Sequence, residues 1–277
     1  MLAALIIVFR EVFEAGLIIG VVMAVTRSVA GRGRWVGAGV SGGVLGAVVV
    51  AVFTGSLSSA FEGVGQELFN AGILAVAVLM LTWHNVWMAR HGRELAAEMR
   101  VVGQAVVTGA KSLAGLAVVV GVAVLREGVE VVLFLYGVIA SEGSSVGVIA
   151  GGAAGLALGG LVCLLTYLGL MTIPARYLFG VTTVLIAFLA AGMAAQAIAF
   201  LEQANAVTAL GTVVWDSSWI LPDRSMLGRA FHTLIGYSDQ PTVMQLVVYL
   251  TTLAATFVLM KLFGSQPVPA PARKSLP

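Results

Sequence analysis

Two charged clusters with the same pattern interrupt an otherwise apolar sequence, and their residue types are those that bind cations. Each reads R-E-x-x-E and lies near the middle of a long apolar stretch. The clusters consist of Arg10, Glu11 and Glu14, and of Arg126, Glu127 and Glu130. A charged side chain at the centre of a bilayer costs at least about 2.5 kcal/mol, so such residues are rare in membrane spans and usually line a polar pathway. The duplicated pattern therefore predicts an ion site.

The spacing within each motif places its charges on one helix face. Residues three and four positions apart are neighbours on a helix, so the glutamates of a motif adjoin each other and the arginine reaches the second glutamate. Together the motifs carry four carboxylates and two guanidinium groups, a formal charge of −2. Carboxylate oxygens suit hard cations such as Fe³⁺, Fe²⁺, Mn²⁺, Mg²⁺ or Ca²⁺. The alternative is that each arginine pairs within its own helix and the spare glutamate is protonated.

The composition defines the environment in which these motifs must work. Of 277 residues, 60% are hydrophobic and only 10% are charged, against roughly 25% charged in ordinary soluble domains. These values predict an all-α integral membrane protein embedded in a lipid bilayer. The single cysteine excludes an internal disulfide and a thiolate metal cluster. No G-x-x-x-x-G-K-[ST] motif, H-E-x-x-H motif or basic tract occurs, so we expect no ATP use, no enzymatic activity and no nucleic-acid partner.

Apolar segments of membrane-spanning length occur seven times. They cover about 2–26, 36–55, 67–89, 112–140, 146–171, 177–201 and 242–263. The connectors after the first and third segments are basic, whereas those after the second and fourth carry acids and no basic residue. The positive-inside rule then predicts a multi-pass protein of the cell (plasma) membrane, with its N-terminus outside and its C-terminus in the cytoplasm.

An internal repeat organises these segments into one membrane domain, 1–264. The motifs lie 116 residues apart, from Arg10 to Arg126. We expect a three-helix repeat at about 1–90 and a second at about 112–201, followed by an outer loop (202–241) and a seventh helix (242–263). Because three spans is an odd number, the second copy must be inverted, and such repeats place the substrate site near the midplane. The tail, 265–277, is expected to be a disordered cytoplasmic segment.

Two further residues are weaker candidates for metal ligands. His84 lies in the third segment, within Trp83-His84-Asn85-Val86-Trp87-Met88. It could be a metal ligand, a proton acceptor or an ordinary buried hydrogen-bonding group. Asp216 lies in the outer loop, where a carboxylate could meet a metal before entry, or simply be solvated. A short helix is expected near 224–235 in the same loop.

The arrangement of the motifs resembles the high-affinity iron permease family, which comprises bacterial elemental-iron uptake permeases and fungal oxidase-dependent iron permeases. The resemblance extends to LREGVEVVLFLYG (125–137), to WDSSW (215–219) and to HTLIGYSDQPTVMQ (232–245). It implies a permease that imports ferrous or ferric iron, with Glu11, Glu14, Glu127 and Glu130 as metal-binding residues supported by ion pairs from Arg10 and Arg126. Iron would be the transported substrate, with no permanently bound cofactor, and a partner outside the membrane would oxidise or deliver it.

Other functions remain open on the sequence alone. Some members of the family are linked to lead, so another divalent metal such as lead or manganese is one alternative. A proton-coupled carrier of small molecules, in which the glutamates titrate and no metal binds, is another. A scaffold subunit whose charges pair within their helices is a third. The sequence also leaves open the oxidation state of the ion and the formation of a homo-oligomer.

Overall fold

Helices make up almost all of the regular structure. The computed structural model describes residues 1–60, 65–142, 145–169, 175–223 and 225–264. Among these residues, the only strand-like pairing is an isolated bridge between Val213 and Thr242. The helices are α1 (Leu2–Val25), α2 (Arg32–Ala60), α3 (Gln66–Val107), α4 (Leu113–Glu142), α5 (Ser145–Tyr167), α6 (Ala175–Gln203), α7 (Met226–Ile235) and α8 (Val243–Gly264).

Five of these helices are long and apolar enough to cross a bilayer. The qualifying stretches are Arg32–Ser56, Gln66–Met88, Ser145–Tyr167, Tyr177–Gln203 and Val243–Phe263. Helices α1 and α4 are as long, but the R-E-x-x-E motif gives each of them three charged residues near its centre. The charged residues that separate these two helices from the other five are therefore those of the predicted ion site. The chain is a helical, multi-pass membrane protein.

The helices pair in a crossed pattern. α1 packs along α5, α2 packs along α4, and α3 packs along α6, while α8 lies against α6 and α3. α1 also contacts α4 and α3. Glycines on α2 and α5 allow the close approach, because a Cβ atom at Gly39 or Gly151 would run into the backbone of the facing helix. Small residues have this packing role in lipid, where apolar side chains gain little by meeting each other.

Two apolar clusters enclose the level at which the motifs lie. One contains Ala3 to Ile7 of α1 with Phe134 and Val138 of α4. The other contains Ile18 and Val22 of α1 with Leu116 to Val124 of α4. In the first cluster the beginning of α1 therefore meets the later part of α4. In the second cluster the later part of α1 meets the beginning of α4. The two helices are antiparallel, and both motifs fall between the clusters.

The third apolar segment, predicted at about 67–89, corresponds to the stretch Gln66–Met88, which is long and apolar enough to cross a bilayer. We expected a basic connector after residue 89, but α3 continues to Val107. Met99 and Val106 are buried in the second apolar cluster, and Gly103 approaches Val25 at the end of α1. This burial stabilises a helix that the charges had suggested would end at the membrane surface. Gly109, with φ of +77°, terminates the segment.

The outer loop contains the short helix that the sequence predicted near 224–235. α7 begins after Ser225, whose side chain accepts a hydrogen bond from the Gly228 N–H. It ends at Gly236, which has a φ of +68° and packs against Gly192 of α6. A serine N-cap and a left-handed glycine C-cap are common signals at helix ends. The predicted disordered tail, 265–277, lies outside the described residues.

Candidate metal site

α1 places its three motif residues in the interior of the protein. Arg10, Glu11 and Glu14 are each at most 3% exposed. Arg10 Nε donates to Glu14 Oε1 at 2.8 Å, which is the contact expected between positions four apart. Arg10 Nη1 donates to Asn85 Oδ1 of α3 at 2.5 Å. The first arginine is therefore held from two sides.

α4 positions the second motif with a different environment for its arginine. Arg126 Nε donates to Glu130 Oε1 at 3.2 Å, which repeats the pairing within the first motif. The Arg126 side chain, however, is 40% exposed, against 1% for Arg10. Its guanidinium carbon lies 4.2 Å from the centre of the Trp87 ring, within the range of a cation–π interaction. The two motifs are alike in sequence but differ in how firmly their arginines are held.

His84 of α3 connects the two motifs. Its Nε2 atom lies 3.6 Å from Glu14 Oε2 and 3.8 Å from Glu11 Oε2. Its Nδ1 atom is in direct contact with Glu130 Oε2. The ring is 3% exposed. A side chain that was only a weak candidate on sequence therefore contacts carboxylates of both α1 and α4.

Within the described part of the chain, two groups of three side chains could each hold a metal ion, and both include Glu11. One consists of Glu11, Glu14 and His84, and the other of Glu11, Glu127 and Glu130. Within each group the potential ligand atoms lie within 4.8 Å of one another. Both Glu11 oxygens and Glu14 Oε2 are buried and accept no hydrogen bond from the described part of the chain. Buried carboxylate oxygens without donors are costly unless a cation balances them, so the geometry suits a bound cation.

Asp216 lies apart from this cluster, in the exposed part of the outer loop. Its Oδ1 accepts hydrogen bonds from the backbone N–H (3.0 Å) and the hydroxyl (2.6 Å) of Ser218. Its Oδ2 accepts one from Gln240 at 2.9 Å. These donors lower the pKa of Asp216 below its usual value. Its contacts within the described residues are those of a loop-stabilising carboxylate.

Sequence reasoning missed two residues that shape the site. Asn85 holds Arg10, and its Nδ2 also donates to Thr183 O of α6 at 3.4 Å. Trp87 lies under Arg126. A signal for Asn85 was present, because an asparagine in an apolar helix needs a polar partner. Nothing in the local sequence indicates that Trp87, one of five tryptophans, faces a cation.

Apolar helices that surround a buried cluster of carboxylates and an imidazole define a membrane protein with a candidate ion-binding centre. Comparison with known families narrows this class. The model of the iron permease FTR1 family matches residues 1–266, nearly the whole chain. The chain belongs to this family, as its paired motifs indicated.

Several relatives are similar over nearly their full length. The ferrous iron permease EfeU of Escherichia coli O6:H1 (strain CFT073) is 31% identical over 269 residues, which covers 94% of this chain and 96% of the relative. The ferrous iron permease EfeU of Yersinia pestis is 30% identical over 263 residues, which covers 94% and 93%. No solved structure matches.

Proposed function

We propose that this protein is an iron permease that carries iron ions across the cell membrane through the cluster between α1, α3 and α4. The observation that carries the proposal is the position of Glu11, which belongs to both possible metal-binding groups. Carboxylate and imidazole ligands together suit iron, whereas carboxylate alone also suits Mg²⁺, Ca²⁺ and Mn²⁺. The relatives named as ferrous iron permeases support iron as the transported ion.

The shared glutamate suggests how an ion would pass through the cluster. An ion held by Glu11, Glu14 and His84 needs to exchange only two ligands to be held by Glu11, Glu127 and Glu130. Such a step avoids complete loss of protein ligands in an apolar region, where an unpaired ion would be very costly. Arg10 and Arg126 keep one oxygen of Glu14 and of Glu130 occupied. In this mechanism the protein exchanges ligands around the ion, and the chain performs no chemical conversion.

We further propose that seven helices span the membrane as two inverted three-helix repeats and a seventh helix. The antiparallel arrangement of α1 and α4 supports this topology. A second support is a pair of equivalent contacts. A Cβ atom on Gly43 of α2 would lie 2.9 Å from Leu125 N of α4, and one on Gly155 of α5 would lie 2.9 Å from Phe9 N of α1. Leu125 follows Phe9 by 116 residues, the same offset that relates the motifs.

The proposed direction of transport is inward, from the side of the outer loop to the cytoplasm. With the N-terminus outside and the C-terminus in the cytoplasm, the outer loop with α7 would face the supply of iron. A separate protein on that side, which oxidises iron or delivers it, would then be the expected partner. Three aspartates of the loop, Asp216, Asp223 and Asp239, would give this surface a negative charge that attracts cations.

The test is uptake of radioactive iron by cells that express the wild type or single variants, with ferrous and ferric supply compared. We expect Glu14→Gln and Glu130→Gln to abolish uptake at equal expression, because each removes a buried anionic ligand. Glu67→Gln is the matched control, since Glu67 is exposed at the start of α3, outside the cluster. Normal uptake by both cluster variants would disprove the proposal.

Metal-dependent uptake into proteoliposomes separates the remaining alternatives. A carrier of small organic molecules would show proton-coupled uptake without added metal. Stronger uptake of manganese or lead than of iron would assign the same site to another ion.

A further inference from the structure

A cavity of about 680 Å³ lies between the end of α1, the start of α2 and the end of α5. It is separate from the metal site. Gly16 and Gly20 of α1 and Cys163 and Thr166 of α5 form part of its wall. A Cβ atom on Gly20 would meet nothing within 4 Å, so this face of α1 is an open groove.

Two arginines give the cavity a positive charge. Arg32 Nη1 donates to Thr26 O at 3.0 Å and also contacts Arg27 O. Its guanidinium group is thus fixed at the end of α1, while Arg32 Nε is buried without a hydrogen-bond acceptor in the described part of the chain. Arg27 also lines the cavity, and its side chain is exposed. A fixed guanidinium in the cavity wall, beside a second arginine, is suited to a phosphate group.

The same charges argue against a route for metal ions through this cavity. None of the described residues that line it is an aspartate, a glutamate or a histidine. A cation leaving the metal site along this path would meet two guanidinium groups and no hard ligand from a side chain other than the hydroxyls of Thr166 and Tyr167. The cavity is therefore complementary to an anion.

We propose that the cavity binds one anionic phospholipid, with the phosphate at Arg27 and Arg32 and one acyl chain along α1. The remaining wall is mostly apolar and includes Leu17, Val21 and Leu168. From Gly16 to Val25 the helix rises by about 14 Å, which covers most of the length of an acyl chain. Basic pockets between membrane helices bind acidic headgroups in this way. The apolar residues of the wall are the reason to assign the phosphate to a lipid, since a free anion would make no contact with them.

The first test is thermal unfolding of the purified protein in detergent, titrated separately with dioleoylphosphatidylglycerol, dioleoylphosphatidylcholine and inorganic phosphate. We expect only phosphatidylglycerol to raise the unfolding temperature. Arg27→Gln should weaken its apparent affinity about five-fold, whereas Arg34→Gln, an exposed arginine of α2 that does not line the cavity, should not. Equal stabilisation by phosphatidylcholine, or an equal loss in both variants, would overturn the proposal. Stabilisation by inorganic phosphate alone would replace the lipid with a free anion.

The second test locates the lipid. Cys163 lines the cavity and is the only cysteine of the chain, so its rate of alkylation reports on access to this wall. We expect phosphatidylglycerol to slow its alkylation in the wild type. Gly20→Leu, which fills the groove, should abolish the thermal effect of phosphatidylglycerol. Gly37→Leu is the control, because a Cβ atom there also meets nothing within 4 Å but does not line the cavity. Unchanged alkylation with bound lipid would place the lipid elsewhere and contradict the proposal.

Discussion

Arg10 donates to Asn85 across the interface between α1 and α3, at 2.5 Å, and so joins the first motif to a helix outside its own pair. Arg126, the corresponding residue of the second motif, instead lies against the ring of Trp87, two residues further along α3. One helix therefore contacts both arginines, but it buries only the first. We therefore expect α1 to form the more rigid side of the proposed metal site and α4 the more adjustable side.

Loss of the two arginines should have unequal effects on folding. Arg10→Met would leave the buried Glu14 carboxylate without its main partner, at a cost of about 3–5 kcal/mol. Arg126→Met removes a partly exposed partner of Glu130, which keeps its contact with His84, so the loss should be smaller. We expect a much lower yield of monodisperse protein in detergent for Arg10→Met than for Arg126→Met. Equal yields and unfolding temperatures would contradict the asymmetry.

Replacement of His84 should change the preference of the site among metals. His84→Gln leaves only oxygen ligands, which favour manganese relative to iron. We expect iron uptake to fall by about ten-fold or more, and Mn²⁺ to become a better competitor of Fe²⁺ than in the wild type. His232→Gln, in α7 of the outer loop, serves as the control. An unchanged ratio of manganese to iron inhibition would mean that the imidazole is not a metal ligand.

A methyl group on the glycine face of α5 should disturb the contact with α1. A Cβ atom at Gly155 would lie 2.5 Å from Leu5 O and 2.9 Å from Phe9 N, which are backbone atoms that cannot move aside. We expect Gly155→Ala to lower the free energy of unfolding by about 1–3 kcal/mol, as overpacking does elsewhere. Gly160→Ala in the same helix meets nothing within 4 Å and should be neutral. Comparison of the unfolding temperatures of the two variants separates the effect of a tight helix interface from the effect of replacing any glycine of α5.

The pH dependence of stability should differ in sign between two aspartates of the outer loop. Burial and the neighbouring Asp239 carboxylate raise the pKa of Asp223 above 3.8. Asp223 therefore favours folding below pH 3.8, and this contribution is lost as the pH rises through the raised pKa. The pKa of Asp216 is lowered by donors from Ser218, so its contribution is present at neutral pH and is lost as the pH falls.

Two asparagine variants test this difference. Asp223→Asn keeps the acceptor for the Asp239 N–H and should unfold at a higher temperature than the wild type at pH 7, with a smaller gain at pH 4. Asp216→Asn should unfold at a lower temperature at pH 7, with a smaller loss at pH 4. Shifts of the same direction in both variants at pH 7 would show that the pKa directions do not govern the loop.

The sequence predicted the features that depend on local spacing. Five of the predicted apolar segments correspond to helices that are long and apolar enough to cross a bilayer, and the pairs Arg10–Glu14 and Arg126–Glu130 form as the i,i+4 positions require. The length of α3 was not predictable, because the burial of Met99 depends on contacts with residues distant in sequence. The position of His84 between the motifs was not predictable for the same reason. Hydropathy indicates that a helix is buried, but not which neighbour its few polar groups will meet.

The crossed pairing of α1 with α5 and of α2 with α4 has a consequence for assembly. The first helix of each half of the chain rests on the second helix of the other half. Neither half can complete its interior alone, so a polypeptide that stops after α3 would expose one glycine-lined groove to lipid and lack the partner for α1. During synthesis, α1 therefore lacks its main packing partner, α5, and its contacts with α4 until the second half of the chain has been made. Arg10 can reach Glu14 and Asn85 within the first half of the chain, whereas the contact of His84 with Glu130 forms only once α4 is in place.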